Sequence, residues 1–131
     1  MTTEKYPHKI LIVEDEGVMM GVLADNLAQA GFGHLLQARN GEEGLVMALK
    51  ERPDLILLDI VMPIMDGITM LKKLREDPRG KDIKVILLTN LSADNKITNS
   101  VIANEPSYYL VKANYSIEEV VEKAKTTLGV V

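Results

Sequence analysis

Three stretches, "KILIVE" at 9–14, "LILLD" at 55–59 and "KVILLT" at 84–89, are nearly unbroken apolar runs of strand length. A strand with one wet face alternates apolar and polar residues, whereas a strand covered on both faces has no polar side to show. Runs of this kind belong inside a parallel sheet sandwiched between helices. The segments between them have helical spacing, and the alternation occurs five times. "KILIVE" leads to "GVMMGVLADNLAQAGF", where Val18, Val22, Leu23, Leu27 and Ala30 recur at helical intervals. "HLLQA" leads to "NGEEGLVMALKER", "LILLD" to a helix from near Asp66, "KVILLT" to one from about Ser92, and "YYLV" to "SIEEVVEKAKTTL". In the last of these Ile117, Val120, Val121, Ala124 and Leu128 form one stripe, with acids in the first turn and lysines later, as the helix dipole favours.

Five β-α units with right-handed crossovers predict a doubly wound α/β fold, a parallel five-stranded sheet in the order 2-1-3-4-5. The 131 residues fit one domain, 1–131, with no linker or repeat and only "GVV" after the fifth helix, which leaves no room for an effector module in these residues; Met1 reads as a natural start. Hydrophobic residues at 47% and charged ones at 26% match a soluble globular protein. No apolar run approaches the roughly 20 residues that cross a bilayer, and the polar start "MTTEKYPHK" has no signal-peptide core, so a cytoplasmic place and no membrane partner are expected. The absence of cysteine excludes disulfides, thiolate metal sites and a thiol nucleophile. A net charge of −4 disfavours direct nucleic-acid binding.

In such a sheet ligands bind beyond the carboxyl ends of the strands where strand order reverses, here between strands 1 and 3. Strand 1 ends in Glu14, Asp15 and Glu16, strand 3 in Asp59, strand 4 in Thr89 and strand 5 near Lys112. Crowded carboxylates repel, and a hard divalent cation relieves them. Mg²⁺ suits one or two carboxylates, a carbonyl and retained waters, with a position left for a phosphate oxygen. Lys112 adds a positive charge and Thr89 a hydroxyl donor, so the pocket is suited to a phosphoryl group on a carboxylate, with Asp59 as nucleophile. Glu16 is expected to face solvent. His8 and His34 are read as surface residues without a phospho-carrier role, and the methionines as gap-fillers in the core or at its margin.

From "ILIVEDE" through "LLDIVMPIMDG" and "VILLTN" to "YYLVKA", the chain resembles the receiver domain of two-component response regulators, the CheY-like family, in order and spacing over nearly its whole length. The resemblance implies the flavodoxin-like (βα)5 three-layer sandwich. It also implies Asp59 as phospho-acceptor, Asp15 as a direct ligand of Mg²⁺ (or Mn²⁺ in its place), Glu14 near the metal through water, and the Val61 carbonyl as the main-chain ligand. Thr89 and Lys112 would grip the phosphoryl group. Thr89 and Tyr109 would form the switch that reports to the surface of the fourth helix, fifth strand and fifth helix, where a downstream protein binds. The implied phospho-donor is a sensor histidine kinase or a histidine phosphotransfer protein. Met62, Pro63, Asp66 and Gly67 resemble the loop after the acceptor, with Asp66 capping the third helix. The chain would be a signalling domain, not a turnover enzyme.

Three positions depart from the family pattern. Ala113 stands where a proline usually follows the lysine; a cis bond there would cost about 2.5–4 kcal/mol, so a trans bond or a strained loop is expected. Asn90 replaces a small residue after Thr89, where it could narrow access to the phosphoryl group or position a water. Val61 and Leu91, each two residues beyond a site residue, cannot orient an attacking water, which predicts slow self-dephosphorylation. The rival readings lack their residues. The loop "EDEGV" would repel a flavin phosphate, "GFG" at 31–33 follows a helix and is no dinucleotide turn, and Val61 stands where an aspartyl phosphatase needs a second aspartate. A pseudo-receiver, a binding module that is never phosphorylated, rests on Ala113 and Asn90 alone.

Overall fold

A computed structural model describes residues 5–89, 108–111 and 116–130. The strands are β1 (Tyr6–Val13), β2 (Phe32–Ala38), β3 (Leu55–Asp59), β4 (Lys84–Thr89) and β5 (Tyr108–Val111). The helices are α1 (Gly17–Gln29), α2 (Gly41–Glu51), α3 (Gly67–Glu76) and α4 (Ile117–Leu128), the last being the helix predicted fifth. The helix predicted from about Ser92 lies outside the described residues. All strand pairs are parallel and the order is β2-β1-β3-β4-β5, as expected. Strand β1 begins three residues earlier than its apolar run, with an irregular register between Tyr6 and Lys9, and the Tyr6 ring packs on Phe32 at 4.8 Å.

The continuous apolar runs resolve into two interleaved faces. Leu11, Val13, Ile56, Leu58, Val85 and Leu87 join one core cluster with Met70, Leu71 and Leu74 of α3 and Ala48 of α2. Ile10, Ile12, Leu55, Leu57, Ile86 and Leu88 join the other with Met20, Leu23 and Leu27 of α1 and Val120 and Ala124 of α4. Because successive side chains point to opposite faces, a run with no polar member is what two covering layers require. All five residues of β3 are buried.

The stripe of α4 faces the core as predicted, Val120 and Ala124 buried and Ile117, Val121 and Leu128 packed at the margin. In α1 Leu23 and Leu27 are buried and Ala30 packs at the margin, as expected, but Val18 departs from expectation. Val18 is 76% exposed, and the buried positions are Met20, Leu23 and Leu27. At about 100° per residue Val18 falls on the opposite side of the helix from those three. The methionines behave as expected: Met20, Met62 and Met70 are buried, and Met19, Met47 and Met65 pack against the clusters. His34 is exposed, but His8 is half-buried with its Nδ1 shielded from solvent, because it lies within β1 rather than before it. No helix among the described residues is long and apolar enough to cross a membrane.

Side-chain caps start three helices: Asn40 accepts from the Glu43 N–H at 2.8 Å, Asp66 from Thr69 at 2.7 Å and Ser116 from Glu119 at 3.2 Å. The predicted cap at Asp66 is thus present.

Candidate functional site

Parallel pairing brings the ends of β1 and β3 together at one edge. Val13 lies opposite Leu58, so Glu14 and Asp59 are the next residues outward on adjacent strands. The Glu14 N–H extends the ladder to β2, donating to the Ala38 carbonyl at 3.0 Å. Glu14 is only 2% exposed and Asp59 6%, whereas Asp15 is open to solvent. One carboxylate oxygen from each of Glu14, Asp15 and Asp59 lies within 4.8 Å of the others. Two negative charges about 5 Å apart repel by about 3 kcal/mol at an effective dielectric constant of about 20. Part of this is offset by backbone donors. The Ile60 N–H donates to Asp59 Oδ1 at 2.8 Å, and the Glu16 N–H to Glu14 Oε1 at 3.3 Å. Glu16 itself is exposed, as expected.

The donor set is all hard oxygen and converges from two strands, which fits Mg²⁺ and excludes a soft-metal site. Val61 lies two residues beyond Asp59, in the loop after β3, and is 54% exposed. Thr89 ends β4 one residue beyond Leu88, the partner of Asp59, and is paired with Val111 of β5, so its backbone stands at the same edge. Tyr109 lies on β5, paired with Leu87. Lys112, Asn90, Leu91 and Ala113 lie outside the described residues, and with them the Lys112–Ala113 peptide bond.

Two further features of the site left little trace in the sequence. Gly67 opens α3 directly on the acceptor strand: its N–H donates to the Ile60 carbonyl at 2.8 Å, and a Cβ there would stand 2.1 Å from the Asp59 carbonyl oxygen. Only glycine admits that approach. In the same loop Ile64 adopts φ +70°, within a three-residue turn closed by the Met65 N–H on the Pro63 carbonyl at 2.7 Å. A β-branched residue in such a turn costs roughly 1–3 kcal/mol.

Residues 10–125 match the family model for the response regulator receiver domain. The chain belongs to the response regulator receiver domain family. It is 30% identical to the chemotaxis protein CheY of Bacillus subtilis over 93% of this chain and 98% of CheY. It is 34% identical to the DNA-binding dual master transcriptional regulator RpaA of Synechocystis sp., covering 92% of this chain but 48% of RpaA. Thus the chain spans about half the length of some curated relatives it matches. Among solved structures, the signal receiver domain of a signal transduction histidine kinase from Syntrophus aciditrophicus superposes with a TM-score of 0.83 at 31% identity, covering 93% of this chain and 90% of that one. Receiver domains are phosphorylation-activated elements of two-component systems, signalling domains rather than turnover enzymes, and they bind Mg²⁺ at an acidic pocket. Nothing in these comparisons favours the pseudo-receiver reading.

Proposed function

We propose that residues 1–131 form one receiver domain in which Asp59 accepts a phosphoryl group from a histidine of a sensor kinase or of a histidine phosphotransfer protein. One observation carries the reading: the carboxylates of Glu14, Asp15 and Asp59 come within 4.8 Å of one another, an arrangement that a shared hard cation converts from repulsion into coordination. In this reading Asp15, Asp59 and the Val61 carbonyl hold Mg²⁺, or Mn²⁺ in its place, and Glu14 acts through water. The ion, when bound, supplies positive charge beside the phosphoryl oxygens.

The chain's own residues do the rest. The Ile60 N–H on Oδ1 orients the Asp59 carboxylate. A carboxylate oxygen attacks phosphorus in line as the P–N bond of the phosphohistidine breaks, and the imidazole nitrogen leaves with the bonding pair and takes up a proton. Lys112 neutralises charge on the transferred group and Thr89 donates its hydroxyl to it. That contact draws Thr89 inward and gives Tyr109 room to rotate, which changes the surface formed by the fourth predicted helix, β5 and α4. A downstream protein reads that surface. The net charge of −4 supports output through protein rather than direct nucleic-acid contact, and the reaction belongs in the cytoplasm, where kinase domains hold their phosphohistidine.

Incubation with acetyl phosphate and Mg²⁺, followed by intact mass measurement, tests this. A gain of one phosphoryl group is expected, lost with chelator and lost in Asp59→Asn. A chain that gains no mass under these conditions is a pseudo-receiver, and a gain that survives Asp59→Asn places the acceptor elsewhere.

A further inference from the structure

The loop after Asp59 contains a residue that phosphoryl chemistry does not use. Ile64 is 75% exposed, and it sits in a left-handed conformation that β-branched side chains disfavour. Neither burial nor backbone preference accounts for an isoleucine there; glycine or asparagine would hold the same turn with less strain. Single exposed apolar residues are ordinary. Ile64, however, converges with a second, Val46 on the outer side of α2, which is 63% exposed. Together with the half-buried Met47 they line a cleft of about 550 Å³ between α2 and the β3–α3 loop.

The rim of this cleft is acidic. Glu42, Glu43 and Glu51 border it against one cation, Lys50. Glu51 already pairs with Lys9 at 3.3 Å, while Glu42 and Glu43 take part in no salt bridge among the described residues. Glu43, Met47 and Lys50 share one face of α2, as do Glu42 and Val46, so apolar floor and acidic edge are presented together. The Gly41 N–H donates to the Met65 carbonyl at 2.9 Å, and a Cβ on Gly41 would stand 2.3 Å from that oxygen, so the two walls are fastened to each other and the cleft is preformed.

We propose that this cleft is a docking site for a segment of a partner protein that inserts an aliphatic or aromatic side chain between Val46 and Ile64 and sets lysines or arginines against Glu42 and Glu43. The apolar floor supplies the anchor, and the acidic rim selects a cationic segment over an anionic one. Docking is assigned to the unphosphorylated chain, so its test stands apart from that of the Asp59 reading.

The probe is a synthetic amphipathic peptide of about four helical turns, leucine on one face and lysine on the other, with a counterpart carrying glutamate for each lysine. Titrated into the ¹⁵N-labelled protein, the cationic peptide should shift amides of α2 and of residues 61–65, and the anionic one should not. Affinity should fall with added salt. Val46→Ser, which removes the apolar anchor at an exposed position without changing the charge of the rim, should weaken binding about tenfold. Ile64→Gly should weaken binding while raising the urea midpoint, an opposed pair of effects that loss of fold could not produce. Equal binding of the two peptides, shifts confined to other surfaces, no binding at millimolar peptide, or unchanged affinity in both variants would overturn the proposal. Sedimentation of a dimer that Val46→Ser dissolves would assign the cleft to a second copy of this chain and overturn it equally.

Discussion

Asp15 is the exposed member of a crowded carboxylate triad, and removing its charge should stabilise the protein when no divalent ion is present. Solvent screening reduces the repulsion well below its buried value, so Asp15→Asn is expected to gain about 1 kcal/mol. Urea unfolding with chelator and again with Mg²⁺ checks this. The gain should vanish or reverse with Mg²⁺, which stabilises the parent chain by binding its native state. Identical midpoints under both conditions would show that the three groups do not feel one another. Val61 leads to a kinetic expectation. Its apolar side chain cannot hold a water for attack on the phosphoryl group, so the phosphorylated form should persist for minutes or longer. Val61→Asn should shorten that lifetime roughly tenfold by supplying a polar group beside the site. Decay followed by intact mass decides, and a parent lifetime of seconds would contradict the expectation. Asp59 and Asp15 were legible in the sequence because a charge at the end of an apolar run is conspicuous. Their unequal burial was not, since it depends on β2 and β3 flanking Glu14 and on β1 and β4 flanking Asp59, while Asp15 begins the turn into α1.

At the scale of elements, the start of α3 offers two adjacent positions with different failure modes. Asp66→Ala removes the acceptor for the Thr69 N–H and should cost about 1 kcal/mol, seen as a lower urea midpoint with an unchanged slope. Gly67→Ala adds one methyl group where only 2.1 Å separates it from the Asp59 carbonyl oxygen, and should cost roughly 2 kcal/mol or more. It should also slow phosphorylation by acetyl phosphate, because α3 can make room only by shifting the acceptor's own backbone. If Asp66→Ala is the more damaging of the two, the close seating of α3 is wrong. The cap could be read from sequence because Asp66 and the helix it starts are neighbours along the chain. The seating could not, as it joins the end of one element to the beginning of the next across a loop whose path no local pattern specifies. The misplacement of Val18 in α1 has a similar origin. Val18 and Val22 share one helical period and Met20, Leu23 and Leu27 another, and only docking against β1 and β2 decided that Met20, and not Val18, lies with Leu23 and Leu27.

For the whole molecule, β3 is the strand on which both cores and the site depend. Leu57, 1% exposed, lies in the cluster shared with α1 and α4, and Leu57→Ala should cost 2–5 kcal/mol, measured by urea unfolding. Against a typical total of about 5–15 kcal/mol this is a large fraction. A cost below about 1 kcal/mol would mean that the two-layer covering of β3 is looser than described. Element order, parallel pairing and the strand order β2-β1-β3-β4-β5 were determined by the sequence alone. Apolar runs, helical spacing and caps act over a few residues, and the handedness of crossovers leaves few ways to arrange five such units. Tertiary structure alone decided the burial of Glu14, the need for glycine at position 67, the strained turn at Ile64 and the cleft it forms with Val46. Apart from the turn itself, which is local but tied to α2 through the Gly41 N–H on the Met65 carbonyl, each of these is a contact between residues far apart in the chain or separated by a loop, and its energy exists only once the sheet has brought them together.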